Sequence, residues 1–180
     1  MFNIKLTENI LQQSAQFAME NNIGIRGHGD GNKEEQLVGI IGQNLILDKL
    51  NKPLMKQSGF DGGVDIVLNN TKLDIKTMGR TVYPKENYVN NLIGMQINYD
   101  VDGYIFCSYH KRDDVLTVCG WIDKESFLNK AKFYREGTPR TRFDGTQFIA
   151  KCDLYEIENK DLIPINNIKE LSEVGSILIQ

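Results

Sequence analysis

Asp65, Asp74 and Lys76 are the residues of this chain whose types and spacing could do chemistry. They fall in residues 64–68 and 72–78, two short runs separated by Asn69-Asn70-Thr71. Alternating apolar and polar residues argue for strands, and asparagine tolerates the left-handed backbone of a two-residue hairpin turn. With Asn69-Asn70 as that turn, Leu68 faces Thr71, Val67 faces Lys72, Ile66 faces Leu73 and Asp65 faces Asp74. One face then collects Val64, Ile66, Leu68, Leu73 and Ile75, and the other Asp65, Val67, Lys72, Asp74 and Lys76. A three-residue turn would mix the two sets, so the pattern itself selects the register.

That register makes two carboxylates direct cross-strand neighbours, with Cβ atoms roughly 5 Å apart, an arrangement that costs stability unless something relieves it. A hard divalent cation relieves it: Mg²⁺ takes one or two carboxylates and fills its octahedron with water or phosphate oxygens. Lys76 lies on the same face one pleat beyond Asp74, where an ammonium can orient a water or stabilise charge developing on a phosphate. The plain alternative is a solvated polar face on which Lys72 and Lys76 neutralise two surface aspartates.

Gly62-Gly63-Val64-Asp65 followed by Leu73-Asp74-Ile75-Lys76-Thr77 resembles the catalytic hairpin of the PD-(D/E)XK nuclease superfamily, whose fold is the restriction-endonuclease-like one. Val64 stands where the motif's name has proline. The resemblance covers about residues 33–122 and extends, through the compact chain and Gly120-Trp121-Ile122, to small bacteriophage members. It implies a metal-dependent deoxyribonuclease, an endonuclease, with Asp65 and Asp74 as Mg²⁺ ligands, Mn²⁺ able to substitute, and Lys76 as the catalytic lysine. The implied fold is an α/β one, a mixed β-sheet flanked by helices, in a single domain over residues 1–180. In such nucleases an acidic helix residue joins the site. Here Glu35 is the candidate, as a further catalytic and metal-binding carboxylate, with Glu34 behind it. Asn32-x-x-Glu35 also reads as a capping box, which would use the same carboxylate to close the helix start. Gln43 follows Gly42 where many members carry the acid, and offers an uncharged carbonyl instead. Gln96 and Tyr99 resemble the Gln-x-x-x-Tyr pair of RecB-like nucleases at a spacing one residue short, making Gln96 a further accessory candidate. The alternative function is a catalytically silent relative that binds DNA or a protein.

Several elements must position these groups. Residues 8–20 read as a helix with Ile10, Ala15, Phe17 and Ala18 apolar, and the glycine-rich stretch 24–31, containing His28, reads as a loop. A second helix spans about 33–50. Glu35, Gly39, Gly42 and Ile46 share one of its faces, and two interior glycines there suggest close approach to another backbone, the hairpin being the candidate. Further expectations are a short helix at 91–99, a hairpin of 104–109 with 115–122, and a helix over 124–134 capped by Asp123. A strand over 147–157 and a terminal helix and strand complete the reading. Trp121 reads as a core anchor, His110 as an exposed loop residue, and Asp61 as a turn residue or outer ligand.

The chain carries 21 Lys+Arg against 24 Asp+Glu, which excludes a histone-like polyanion binder. The charge is uneven: residues 76–142 carry 11 basic against 8 acidic groups, and residues 144–180 carry 3 against 7. Arg80, Lys85, Arg135, Arg140 and Arg142 are therefore the DNA-contact candidates, suited to hold a phosphate backbone and not to read sequence. Residues 138–142 look like a mobile basic loop. No window approaches the roughly 18 apolar residues of a membrane span, and Met1–Lys5 lacks the pattern of a secretory leader. The 3 cysteines are scattered and read as reduced thiols of a cytoplasmic protein. Cutting both strands of a duplex needs two active sites, so a homodimer is an expectation as well.

Overall fold

The structure, a computed structural model, describes residues 1–21, 32–55, 62–141 and 145–176. The chain is mixed α/β, with four α-helices among the described residues. It opens with strand β1 (Phe2–Lys5), too short to signal itself in the sequence, and helix α1 (Glu8–Glu20). Thr7 caps α1 by accepting from the Ile10 N–H, and Ile10, Ser14 and Phe17 are buried. Helix α2 (Lys33–Lys49) follows. Residues 40–47 are buried almost without interruption, because α1 covers one side of the helix and a sheet the other. A buried Asn44 fits there because its amide donates to Ser14 Oγ at 3.0 Å and its oxygen accepts from Met55 N–H at 3.1 Å.

The sheet is built from the two expected hairpins. Strands β2 (Ile66–Leu68) and β3 (Thr71–Arg80) pair antiparallel in the register read from the sequence: Ile66 with Leu73, Val67 with Lys72, Leu68 with Thr71. Asn69 and Asn70 both have positive φ, 49° and 64°, as a two-residue turn demands. Asn69 also donates to the carbonyls of Ser172 and Val174 and so ties the turn to helix α4 (Ile168–Ser172) and the residues just after it. Strands β5 (Gly103–His110) and β6 (Val115–Asp123) form the second hairpin. β3 runs parallel to β5, giving a mixed sheet of order β1-β6-β5-β3-β2.

Two apolar layers cover this sheet. On one face α2 packs against Leu73, Ile75, Ile105 and Cys107. On the other, Tyr104, Phe106 and Ile122 meet Phe127 of helix α3 (Lys124–Lys130) and Leu92 and Ile157 of a second sheet. That sheet has the order β4-β10-β7, from strands β4 (Val89–Ile93), β7 (Lys132–Tyr134) and β10 (Leu154–Glu158).

Here several expectations are corrected. Residues 91–99 are not one helix: β4 ends at Ile93 and a 3₁₀ turn, Gly94–Asn98, follows. The side chains of Asn90 and Leu92 turn inward, as a strand paired with β10 requires. Asp123 does cap α3, accepting from Ser126 N–H at 2.8 Å. The helix stops at Lys130 because Lys-Phe-Tyr alternates and pairs with β10. Residues 147–157 split into β9 (Gln147–Ile149) and β10, and β9 pairs with β8 (Pro139–Thr141), so the expected basic loop is a strand at its centre. Trp121 is a core residue, 2% exposed. His110 is buried, not exposed, stacked 4.5 Å from the Tyr83 ring.

Cys107 and Cys119 are buried thiols. Burial pushes the Cys119 thiol up to about 12, and burial first, then the Asp74 charge, raises the Tyr104 phenol. Both groups fold neutral, so their contribution is whole below the unfolded value (for the thiol, 9.0) and drains away as pH rises toward the folded one. Urea unfolding at about pH 10.5 should show on the order of 2 kcal/mol less stability than at about pH 8 from Cys119 alone. Equal stability at the two pH values would contradict this burial.

Candidate catalytic site

Strand alternation and the two layers fix which way each group on β3 points. Leu73, Ile75 and Thr77 face α2, where Gly42 lies so close that an added Cβ would stand 2.0 Å from Thr77 Oγ1. The close approach expected of the helix glycines thus occurs at Gly42, whereas a Cβ on Gly39 would meet nothing within 4 Å. Asp74 and Lys76 point the other way, beside Tyr104 and Phe106 of the parallel neighbour.

Asp74 is 1% exposed. An ionised carboxylate at such depth costs several kcal/mol unless it is compensated. Lys76 compensates it: Nζ lies 2.8 Å from Asp74 Oδ2, and the lysine side chain keeps 21% of its surface in reach of water. Asp65 precedes β2 by one residue, just outside the paired register. Its N–H donates to Leu73 O at 3.0 Å, and its carboxylate accepts the Ile75 N–H at 2.7 Å. The Asp65 carboxylate is thereby held against the backbone of the residue between Asp74 and Lys76. Gly63 makes the approach to Asp65: at φ 85° it leaves room for the Tyr99 ring, which a Cβ would strike at 2.3 Å.

The helix acids are not brought to this group. Glu35 is exposed, and its carboxylate accepts the Asn32 N–H at 2.9 Å while Asn32 accepts from Glu35 N–H at 3.0 Å, a complete capping box. Glu34 is bonded to Lys111 at 2.7 Å, which holds its carboxyl below the usual range. Both begin a helix that covers the opposite face of β3. Gln43 is buried on that helix. Gln96 sits half-buried in the 3₁₀ turn, its carbonyl accepting from Tyr99 N–H. Glu35→Ala should therefore cost about 1 kcal/mol of stability through the lost cap, read by urea unfolding. A Glu35→Ala protein as stable as the unaltered one would contradict the capping role.

Among the described residues, no three His, Cys, Asp or Glu side chains gather into a metal cage. Asp65 and Asp74 carry carboxylate oxygens, hard ligands of the kind Mg²⁺ or Mn²⁺ takes, one engaged by the Ile75 N–H and the other by Lys76 Nζ.

Along the same face of β3, beyond Lys76, Met78 and Arg80 enter a cleft of about 980 Å³. Lys132, Tyr134, Glu156, Asn91 and Tyr88 line it too. Arg80 donates to Val89 O at 2.6 Å and lies over the Tyr88 ring. Of the other expected phosphate contacts, Lys85 and Arg135 are exposed. Arg140 is not a loop cation: it is buried, paired with Glu156 and stacked on Tyr134 and Phe148. Arg142 lies outside the described residues, as do Asp61, His28 and the glycine-rich stretch. The sequence reading missed Lys132 and Tyr134 by placing them on a helix, although the alternation of Lys132, Phe133 and Tyr134 was the available sign of a strand with one polar face.

Compared with protein-family models, with curated proteins and with solved structures, the chain matches none.

Proposed function

We propose that this chain is a Mg²⁺-dependent deoxyribonuclease, an endonuclease of the restriction-endonuclease-like fold, hydrolysing DNA phosphodiester bonds. The observation that carries the reading is a buried Asp74 with Lys76 at 2.8 Å, flanked by an Asp65 carboxylate anchored to Ile75 N–H. A fold seeking only stability gains little from such an arrangement, since a buried ion pair seldom repays its desolvation. A chain that must present oxygens and an ammonium to a phosphate needs it.

In this reading Asp65 and Asp74 hold the ion, which when bound polarises the phosphate and lowers the pKa of a water. Asp65 is kept in place by its bond to the β3 backbone, and Asp74 by its burial between strands. Lys76, partly exposed, orients the attacking water or meets the charge that grows on the phosphate oxygens. Arg80, Lys85 and Arg135 hold the DNA backbone without reading its sequence. A second copy of the chain would supply the second active site for cutting both strands.

The competing reading is a catalytically silent relative that binds DNA or a protein. It is favoured by Gln43 where an acid is expected and by the absence of a third carboxylate near Asp65 and Asp74 among the described residues. Calorimetric titration with Mn²⁺ separates the two. The nuclease reading expects a binding heat that Asp65→Asn and Asp74→Asn each remove; no heat from the unaltered protein would favour the silent binder.

A further inference from the structure

We infer that the cleft beyond Lys76 receives an unpaired nucleic-acid strand, so that the DNA acted on carries a single-stranded arm beside the cleavage site. The inference rests on the nuclease reading and names the substrate class of the same site. Its first support is continuity. Met78 and Arg80, which line the cleft, follow Lys76 at two and four residues on the same face of β3.

The second support is size. A space of about 980 Å³ is roughly 10–12 Å across if equiaxed. A duplex, whose major groove alone is about 12 Å wide, is too thick to enter it, whereas one strand is not. The third is chemistry. Lys132 and Tyr134 alternate onto one side of β7, with Phe133 on the other side against Tyr155. Lys132 Nζ lies 4.8 Å from the Tyr134 ring centre and the Arg80 guanidinium 5.0 Å from that of Tyr88. These cations lie over the rings, and the buried Arg140 guanidinium also lies over Tyr134, 5.2 Å from its centre. The exposed Lys132 is the cation free to swing aside, giving its place on the ring to an unpaired base while it meets the phosphate. The acids of the wall do not cancel this, since Glu156 is paired with Arg140 and Glu158 with Lys160. Asn91, whose Oδ1 is buried without a hydrogen-bond partner among the described residues, adds an amide for a base edge.

Fluorescence anisotropy of the full chain, with a metal chelator present, tests this using a labelled oligothymidylate of about 12 nucleotides and a blunt duplex of equal length. The single strand should bind about tenfold tighter or more. Tyr134→Ala should lose about tenfold of that affinity and Tyr134→Phe should keep it, in line with about 1–3 kcal/mol per stacked base. Lys132→Ala should reduce the slope of log affinity against log salt by about 0.7, the value of one phosphate contact on a single strand. If Tyr134→Ala does not fold, the Lys132→Ala slope decides the matter. Duplex bound as tightly as single strand, or a folded Tyr134→Ala that binds like the unaltered protein, would overturn the inference. Tight single-strand binding with no cleavage of any DNA would remove the nuclease reading, and with it the single-stranded arm beside a cleavage site, and keep only the cleft as a single-strand binding site. Lys76-dependent cutting of blunt duplex with no single-strand preference would do the reverse.

Discussion

On the nuclease reading, Asp74→Asn and Lys76→Ala should each lower metal-dependent DNA cleavage by about 10²–10³-fold, the scale of losing one preorganised charge from a reaction centre. They should differ in stability, and the difference follows from burial. Asp74 is 1% exposed and its charge is met by Lys76 at 2.8 Å. Asparagine fills the same space without the charge, and the Lys76 amine can still reach water, so Asp74→Asn should change stability by less than about 1 kcal/mol. Lys76→Ala leaves the Asp74 carboxylate in the interior without that cation, which should cost about 3–5 kcal/mol. Added Mg²⁺ should restore part of that loss, since an ion that binds only the folded state stabilises it. Urea unfolding with and without Mg²⁺, beside cleavage rates for both variants, checks the set. A Lys76→Ala protein as stable as the unaltered one would contradict the electrostatic account of the pair.

Arg140→Leu should be among the most destabilising single changes in the molecule, at about 3–5 kcal/mol, because it strands the Glu156 carboxylate in the interior. The guanidinium also packs on the Tyr134 and Phe148 rings, 5.2 and 4.5 Å from their centres, so stacking is lost with the charge. The double variant Arg140→Leu with Glu156→Leu should recover most of the loss, since no charge is then left alone. Equilibrium unfolding of the two single variants and the double one measures the coupling directly. A small cost for Arg140→Leu, together with weakened DNA binding, would instead restore Arg140 to the role of a phosphate contact.

The hairpin was legible because three local rules agree there. Side-chain alternation, two turn asparagines and a clean apolar face all select one register, and β2 and β3 adopt it. Helix α1 was legible for the same kind of reason, its apolar positions being periodic and its bounds set by local groups. What lay hidden depends on partners distant in the chain. β4 and β7 are strands because β10 lies between them, over 50 and about 20 residues later respectively, and short polar segments carry little local preference against such pairing. The double use of Asn32-x-x-Glu35 could not be resolved locally either. Only the packing of α2 on the Leu73 and Ile75 face shows that the helix start lies across the sheet from Asp74. Arg140 illustrates the limit of reading charge along a chain: a basic residue between threonine and proline looks solvated until a glutamate 16 residues on is found buried against it.

The most direct measurement is a cleavage assay of the unaltered protein on supercoiled, linear, branched and single-stranded DNA, with Mg²⁺ or Mn²⁺ against chelator, and Lys76→Ala alongside. Metal-dependent strand scission that Lys76→Ala lacks is the result the nuclease reading predicts. Intact DNA in every lane, with no heat on titrating either metal, would contradict it and leave the fold as a binding module.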